Sequence, residues 1–197
     1  MKKMNRKGFT LVELLAVIVI LAILMAIAAT NLGPVIDNTR RNSMRSTAQQ
    51  IINSVQSQLT SNYELYPGTY QWDEGIFDKG GKVAPFGGEY RYHAGSEKKI
   101  GSGVYKMNNS TDAGTCSKTS PSYVVIKRDA AGNYKYLICL STQPEGNREG
   151  EGNAYLFATR DELESKSNKI FHGDAVTDEG VAAPNWGADE SPTENNG

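Results

Sequence analysis

Leu14 to Ala29 are sixteen consecutive apolar residues, and the stretch before them holds Lys2, Lys3, Arg6 and Lys7. Read as a helix from Phe9 to Leu32, the segment has twenty-four residues. At about 1.5 Å each it reaches roughly 36 Å, enough for a hydrocarbon layer of about 30 Å. The basic flank keeps the amino terminus cytoplasmic and places everything after Leu32 outside. An ordinary secretory signal has the same order of basic then apolar residues. Against that reading, the apolar run is longer than a typical signal core, Ala26 to Ala29 is a poor cleavage site, and Glu13 stands just inside the apolar stretch.

Past Gly33-Pro34, which breaks the helical pattern by removing a backbone donor and restricting the preceding residue, apolar positions return at helical spacing. Ala48, Ile51, Ile52, Val55 and Leu59 recur three or four residues apart, with Ser, Asn and Gln between them. The pattern predicts one long helix from Phe9 to Asn62, kinked or locally melted at Gly33-Pro34. Asp37, Arg40, Arg41 and Arg45 lie on its second half, where Asp37 precedes Arg40 and Arg41 at pairing distance. They read as a solvated helix face, or alternatively as a headgroup or intersubunit contact.

From Tyr63 the chain changes to Gly, Tyr and turn residues. Tyr63 to Gly88, with Pro67-Gly68, Gly80-Gly81 and Gly87-Gly88, reads as an extended connecting loop. Glu89 to His93 and Val104 to Met107 are candidate short strands. Ser122 to Lys127 and Tyr134 to Ser141 are the clearest strands, joined by the hairpin sequence Asp129-Ala130-Ala131-Gly132-Asn133. Ala154 to Thr159 adds a further strand and Asp161 to Ser165 a brief helical turn. One long helix followed by short strands predicts an α+β fold with an antiparallel sheet.

Composition refines this picture in two places. Over 197 residues, 21 basic side chains face 22 acidic ones for a net charge of −1, which removes the electrostatic case for nucleic-acid binding. The charge is uneven, however. Without the four basic residues before Gly8 the balance is 17 against 22, or −5, and the last twenty-four residues hold six acids and no base. Asp174 to Gly197 therefore reads as an acidic flexible tail, with docking through Trp186 as the alternative. No Gly-x-Ser-x-Gly, phosphate loop or His-Glu-x-x-His occurs; Gly80-Gly81-Lys82 lacks the rest of a nucleotide loop, and His93 and His172 have no acid-base neighbours in sequence. The expectation is a chain that is not an enzyme.

Glu13 is the informative anomaly, because an acid inside a membrane segment is costly and marks function by default; the bland alternative is hydration at the cytoplasmic interface. Taken together, Lys7-Gly8-Phe9-Thr10-Leu11-Val12-Glu13-Leu14 and the apolar run behind them resemble the class III signal of type IV prepilins and pseudopilins. The run Leu14 to Leu24 looks most like Gram-positive, clostridia-type pilins. The resemblance covers about the first thirty-five residues. It implies that a prepilin peptidase cuts between Gly8 and Phe9 and that the new Phe9 amine is N-methylated. Physical logic agrees: Gly8 offers no side chain to obstruct a protease, and the Phe9 amine is the cation that an intramembrane carboxylate lacks. Pairing of Glu13 with the Phe9 amine of a neighbouring subunit would compensate a buried charge only on assembly, as a register device.

The resemblance further implies a layout of leader peptide 1–8, transmembrane and fibre-core helix half 9–33, amphipathic helix half 34–62, globular head 63–173 and tail 174–197. The precursor would sit in the inner or cytoplasmic membrane and then enter an extracellular pilus on the cell surface, serving adhesion, motility or biofilm formation. Its partners would be copies of itself as a homopolymer, the peptidase, an assembly platform with ATPase-driven machinery, and minor pilins. A pseudopilin of a type II secretion or DNA-uptake machine, and a tip-located minor pilin acting as an adhesin, are the alternatives.

Cys116 and Cys139 form no zinc pattern. Outside the membrane they are expected to form a disulfide, worth roughly 3 kcal/mol in the chain-entropy model; two free thiols in a reducing niche are the alternative. No cofactor is expected. Glu145, Asn147, Glu149, Glu151 and Asn153 alternate with Gly and offer oxygens to calcium, as pseudopilin heads do, but match no fixed loop spacing and read as a flexible acidic loop. Asn108 and Asn109 each begin a glycosylation sequon.

Overall fold

The computed structural model describes residues 10–61, 67–72, 84–86, 88–91, 99–100, 104–108, 111, 114–143, 155–165, 167–172 and 180–183. The chain divides into two compact units, Met1–Thr39 and Arg40–Gly197. Helix α1, Leu11–Ser61, contributes residues 11–39 to the first and 40–61 to the second.

In the first unit, α1 runs without interruption through Gly33 and Pro34, so of the kink or local melting expected there, the melting is absent. The physical reason lies in the residue pair. Proline removes one donor and its ring presses on the Cβ of the residue before it; Gly33 has no Cβ to press on, and the space where one would stand is open. Thr39 Oγ1 donates to the Val35 carbonyl at 2.8 Å, one turn further on.

The second unit is the α+β head. Its strands are β1 Gly68–Trp72, β2 Glu89–Tyr90, β3 Lys99–Ile100, β4 Val104–Asn108, β5 Thr115–Cys116, β6 Tyr123–Arg128, β7 Tyr134–Gln143, β8 Tyr155–Thr159, β9 Phe171–His172 and β10 Val181–Ala182. An antiparallel sheet has the order β3-β4-β1-β6-β7-β8-β9, with β2 on β7; β5 and β10 form a separate two-stranded ribbon. The hairpin expected at Asp129–Asn133 is present. Gly132, at φ +86°, donates to the Asp129 carbonyl at 2.8 Å, and Asp129 Oδ1 accepts from the Asn133 N–H at 2.8 Å. Only a residue tolerant of positive φ closes this turn without strain.

Tyr63 to Gly88 departs from expectation. Instead of a loop throughout, Gly68–Trp72 is an interior strand, paired to β4 on one side and β6 on the other. The alternating Thr69-Tyr70-Gln71-Trp72 supports a strand, but Pro67-Gly68 disguises its start.

Period-two alternation explains why the central strands read as nearly continuous apolar runs. Val124, Ile126, Ile138, Leu140, Leu156 and Ala158 point to one face, where they pack with Met44, Ala48, Ile51, Ile52 and Val55 of α1. Tyr123, Val125, Leu137, Cys139, Tyr155 and Phe157 point to the other, where they enclose Cys116. Both faces are buried, so polar alternation is lost. The helical stripe read from sequence is therefore the core-facing stripe, extended by Met44; the side chain of Leu59 lies outside the described residues.

Helix α2, Arg160–Glu164, is the expected short turn. It starts with a reciprocal capping box in which Thr159 accepts from the Glu162 N–H and Glu162 accepts from Thr159.

Candidate functional site

The amino-terminal unit carries the site that the sequence singles out. Gly8 and Phe9, the expected cleavage and methylation positions, lie outside the described residues. Thr10 is the cap of α1: its carbonyl accepts the first helical hydrogen bond from the Leu14 N–H at 3.2 Å. Its own N–H and hydroxyl both donate to Glu13 Oε2, at 2.8 and 2.9 Å, while the Glu13 N–H donates to Thr10 Oγ1 at 3.3 Å. This is the same Thr-x-x-Glu box that opens α2. Thr10 was not among the residues singled out from sequence, although a Thr three positions before a Glu, leading into an apolar run, is the local signature of such a start.

The box changes the reading of Glu13. Its carboxylate closes the amino end of its own helix, satisfying donors that an α-helix leaves unpaired and placing negative charge at the positive end of the helix dipole. Only Oε2 is used; Oε1 has no hydrogen-bond partner among the described residues. The carboxylate is thus held in position by its own chain through Oε2.

Behind the box, Leu11–Ala28 is 18 residues long, apolar enough to cross a membrane, and has none of its length buried. Leu14, Val17, Leu21 and Leu24, which fall along one side of the helix, are exposed, and so are Ile18, Ile20, Ile23 and Ile27 on the others. A helix apolar all round has no solvent-facing side, and it requires lipid or other apolar helices around it.

In the head, Cys116 and Cys139 are joined in a disulfide, with Cα atoms 5.7 Å apart. The two cysteines are fully buried in the cluster on the sheet face away from α1. Of the basic residues of the second helix half, Arg40 is exposed, as a solvated face requires, whereas Arg41 and Arg45 are not. Arg45 is 7% exposed, with Nη2 donating to the Ser167 carbonyl at 2.7 Å and Nη1 to Asn42 Oδ1 at 2.9 Å. Its guanidinium and that of Arg41 both lie over the Phe171 ring, 5.4 and 5.3 Å from the centroid, and Arg41 also lies 6.0 Å from Phe86. These contacts turn two cations inward, as clasps between α1 and the segment Ser167–Phe171, because guanidinium planes stack on aromatic faces; at Arg45 the accompanying desolvation lowers the pKa.

Tyr90 and Tyr136 are buried, and burial raises the pKa of both phenols; a hydrogen bond with Thr47 opposes the rise at Tyr90, and the Arg160 charge opposes it at Tyr136. His172 is half-buried and stacks on Tyr155 with ring centroids 5.2 Å apart. Among the described residues, no group of three or more His, Cys, Asp or Glu is arranged to hold a metal. Glu145 to Asn153, the weak calcium candidate, His93, Asn109 and Trp186 all lie outside the described residues.

Residues 3–29 match the family model of the prokaryotic N-terminal methylation motif. This is the class III signal of type IV pilins and prepilins. The chain therefore carries the amino-terminal signal of a type IV pilin-like or pseudopilin precursor, a structural class and not an enzyme family. Such a signal implies processing by a peptidase and use of pilus assembly machinery, and with the apolar helix it marks a membrane-anchored precursor. No curated protein and no solved structure matches the chain.

Proposed function

We propose that this chain is the precursor of a structural subunit of an extracellular type IV pilus. A prepilin peptidase removes residues 1–8 by cutting between Gly8 and Phe9, the Phe9 amine is methylated, and the subunit waits in the membrane with its head outside. An ATPase-driven platform then adds it to a homopolymer in which minor pilins also take part.

The observation that carries this reading is the apolar surface of Leu11–Ala28, exposed on every side of the helix, behind a carboxylate already fixed in place. In the precursor, lipid covers the apolar surface; in the fibre, parallel helices of other copies do. Glu13 Oε2 remains on Thr10, and Oε1 meets the Phe9 amine of a neighbouring subunit. A wrong axial register would leave a charge unpaired in an apolar core, which is far more damaging than never having buried it.

Shearing fibres from the cell surface and identifying their main component tests the proposal. This chain as the dominant band, beginning at Phe9, is the expected result. Its recovery only at fibre ends would favour the tip adhesin, and its absence from surface fibres with retention in a secretion or DNA-uptake complex would favour the pseudopilin.

A further inference from the structure

Cys116 is the second residue of β5, and among the described residues β5 pairs with no strand except β10. The ribbon meets the main sheet through a covalent bond to Cys139, which lies within β7 opposite Tyr123 of β6 and Phe157 of β8. Val181 and Ala183 pack on the same buried cluster. β10 is held to β5 by the pairs Val181↔Cys116 and Ala182↔Thr115, and by the Ala183 N–H donating to the Gly114 carbonyl at 3.1 Å.

Gly180 fits this ribbon closely. Its φ is +92°, and a Cβ there would stand 2.5 Å from Thr115 Cγ2 and 2.8 Å from the Cys116 carbonyl oxygen. No other residue type reaches that conformation and that space together. The approach is thus built for a glycine pressed onto β5.

A two-residue antiparallel pair does not persist in water by itself. β10 therefore depends on whatever fixes β5, and the covalent attachment of β5 is at Cys116. We infer that the Cys116–Cys139 bond is a clamp for the carboxy-terminal segment: it fixes β5 as the edge on which β10 docks, and opening it with a dithiol releases β5 and β10 together. In that step the dithiol is oxidised to its own disulfide, and two electrons and two protons pass to the cystine, leaving Cys116 and Cys139 as thiols. The main sheet outlasts the release. β6 and β7 share six register pairs and β7 and β8 five, and their opposite face stays packed on α1. The segment set free belongs to the last twenty-four residues, which carry six acids and no base. The redox state of this bond would thus set how this acid-rich end is held to the head, whatever assembly the subunit serves.

Amide hydrogen exchange of the full chain in detergent, before and after dithiothreitol, tests the clamp, with alkylation counting the thiols. Peptides spanning 114–116 and 180–183 should lose protection by at least about tenfold, and those of β6, β7 and β8 should stay within about twofold. Unchanged protection at 180–183 with two thiols alkylated would overturn the inference, as would an equal loss across β6–β8. Where the bond resists the dithiol, the double variant Cys116→Ser, Cys139→Ser is read in the same way. Gly180→Val leaves the bond intact and should free β10 alone; full protection of Val181 to Ala183 in that variant also overturns it.

Discussion

Glu13 and Thr10 hold each other at the first turn of α1, with Thr10 donating twice to Glu13 Oε2 and accepting from the Glu13 N–H. A carboxylate that looks like an isolated charge in an apolar run is a capping residue in its own helix. Capping and the proposed pairing with a neighbour's amine would fall to different oxygens, and substitution separates them.

Glu13→Gln keeps the capping box, because Gln fills the same position in such boxes, but removes the charge. Glu13→Ala removes both. If charge pairing drives assembly, both variants are cut at Gly8-Phe9, accumulate as mature monomer in the membrane, and give few surface pili. Electron microscopy with cell fractionation reads this directly. Normal pilus numbers with Gln and few with Ala would assign Glu13 to capping alone.

Thr10→Val removes the hydroxyl that both donates to Glu13 Oε2 and accepts from the Glu13 N–H, at almost unchanged volume. Thr10→Ser keeps it. The expected result is a severalfold drop in pili for Val, with cleavage retained, and near-normal numbers for Ser. Equal piliation of the two variants would show that the box does not position the carboxylate.

Gly8→Val places a branched side chain at the bond where we propose that the peptidase cuts. The precursor should still enter the membrane but keep its leader, and fibres should be absent. Mass spectrometry finding a mature chain that begins at Phe9 in this variant would contradict the assignment of the cleavage site.

Arg45→Met should destabilise the head by about 1–3 kcal/mol, since the charged hydrogen bond from the guanidinium to the Ser167 carbonyl is lost and that carbonyl is left without its donor. Arg45→Lys should recover only part, because an ammonium has neither the fork that reaches Asn42 and Ser167 together nor the plane that stacks on Phe171. Denaturant unfolding followed by circular dichroism measures both.

Tyr90 and Tyr136 give the head an alkaline limit. Burial raises both phenol pKa values above the ordinary 10.0, so above that pH the unfolded chain releases protons that the folded head retains. Fewer protons on the unfolded state make unfolding easier as pH rises. Stability is therefore full below about pH 10 and falls through the window above it. Tyr136→Phe should flatten that fall, at little cost near neutrality because the buried Tyr136 hydroxyl has no hydrogen-bond partner among the described residues. An unchanged pH slope would show that ionisation of Tyr136 does not limit the fold.

The amino-terminal site was legible in the chain because proteases and membranes read it as a linear string. Basic leader, Gly8, Phe9, Glu13 and an unbroken apolar run need no folding to bring them together. The core stripe of Ala48, Ile51, Ile52 and Val55 and the β6–β7 hairpin were legible for a similar reason: helical spacing and the Asp129–Asn133 turn act over a few neighbours. Thr10 was visible in principle, but its meaning is local geometry, not composition. Tertiary structure alone decided the remainder. Gly68–Trp72 is an interior strand because β4 and β6 arrive on its two sides from later in the chain. Arg41 and Arg45 turn inward because Phe171, more than 120 residues away in sequence, supplies a ring to stack on. β5 and β10, two residues each, carry no strand signal of their own; a disulfide and a glycine with no room for a Cβ bring them together. Local patterns fix elements whose partners lie within a turn or two, whereas pairing between distant short segments depends on the energy of the contacts they make once the chain has folded.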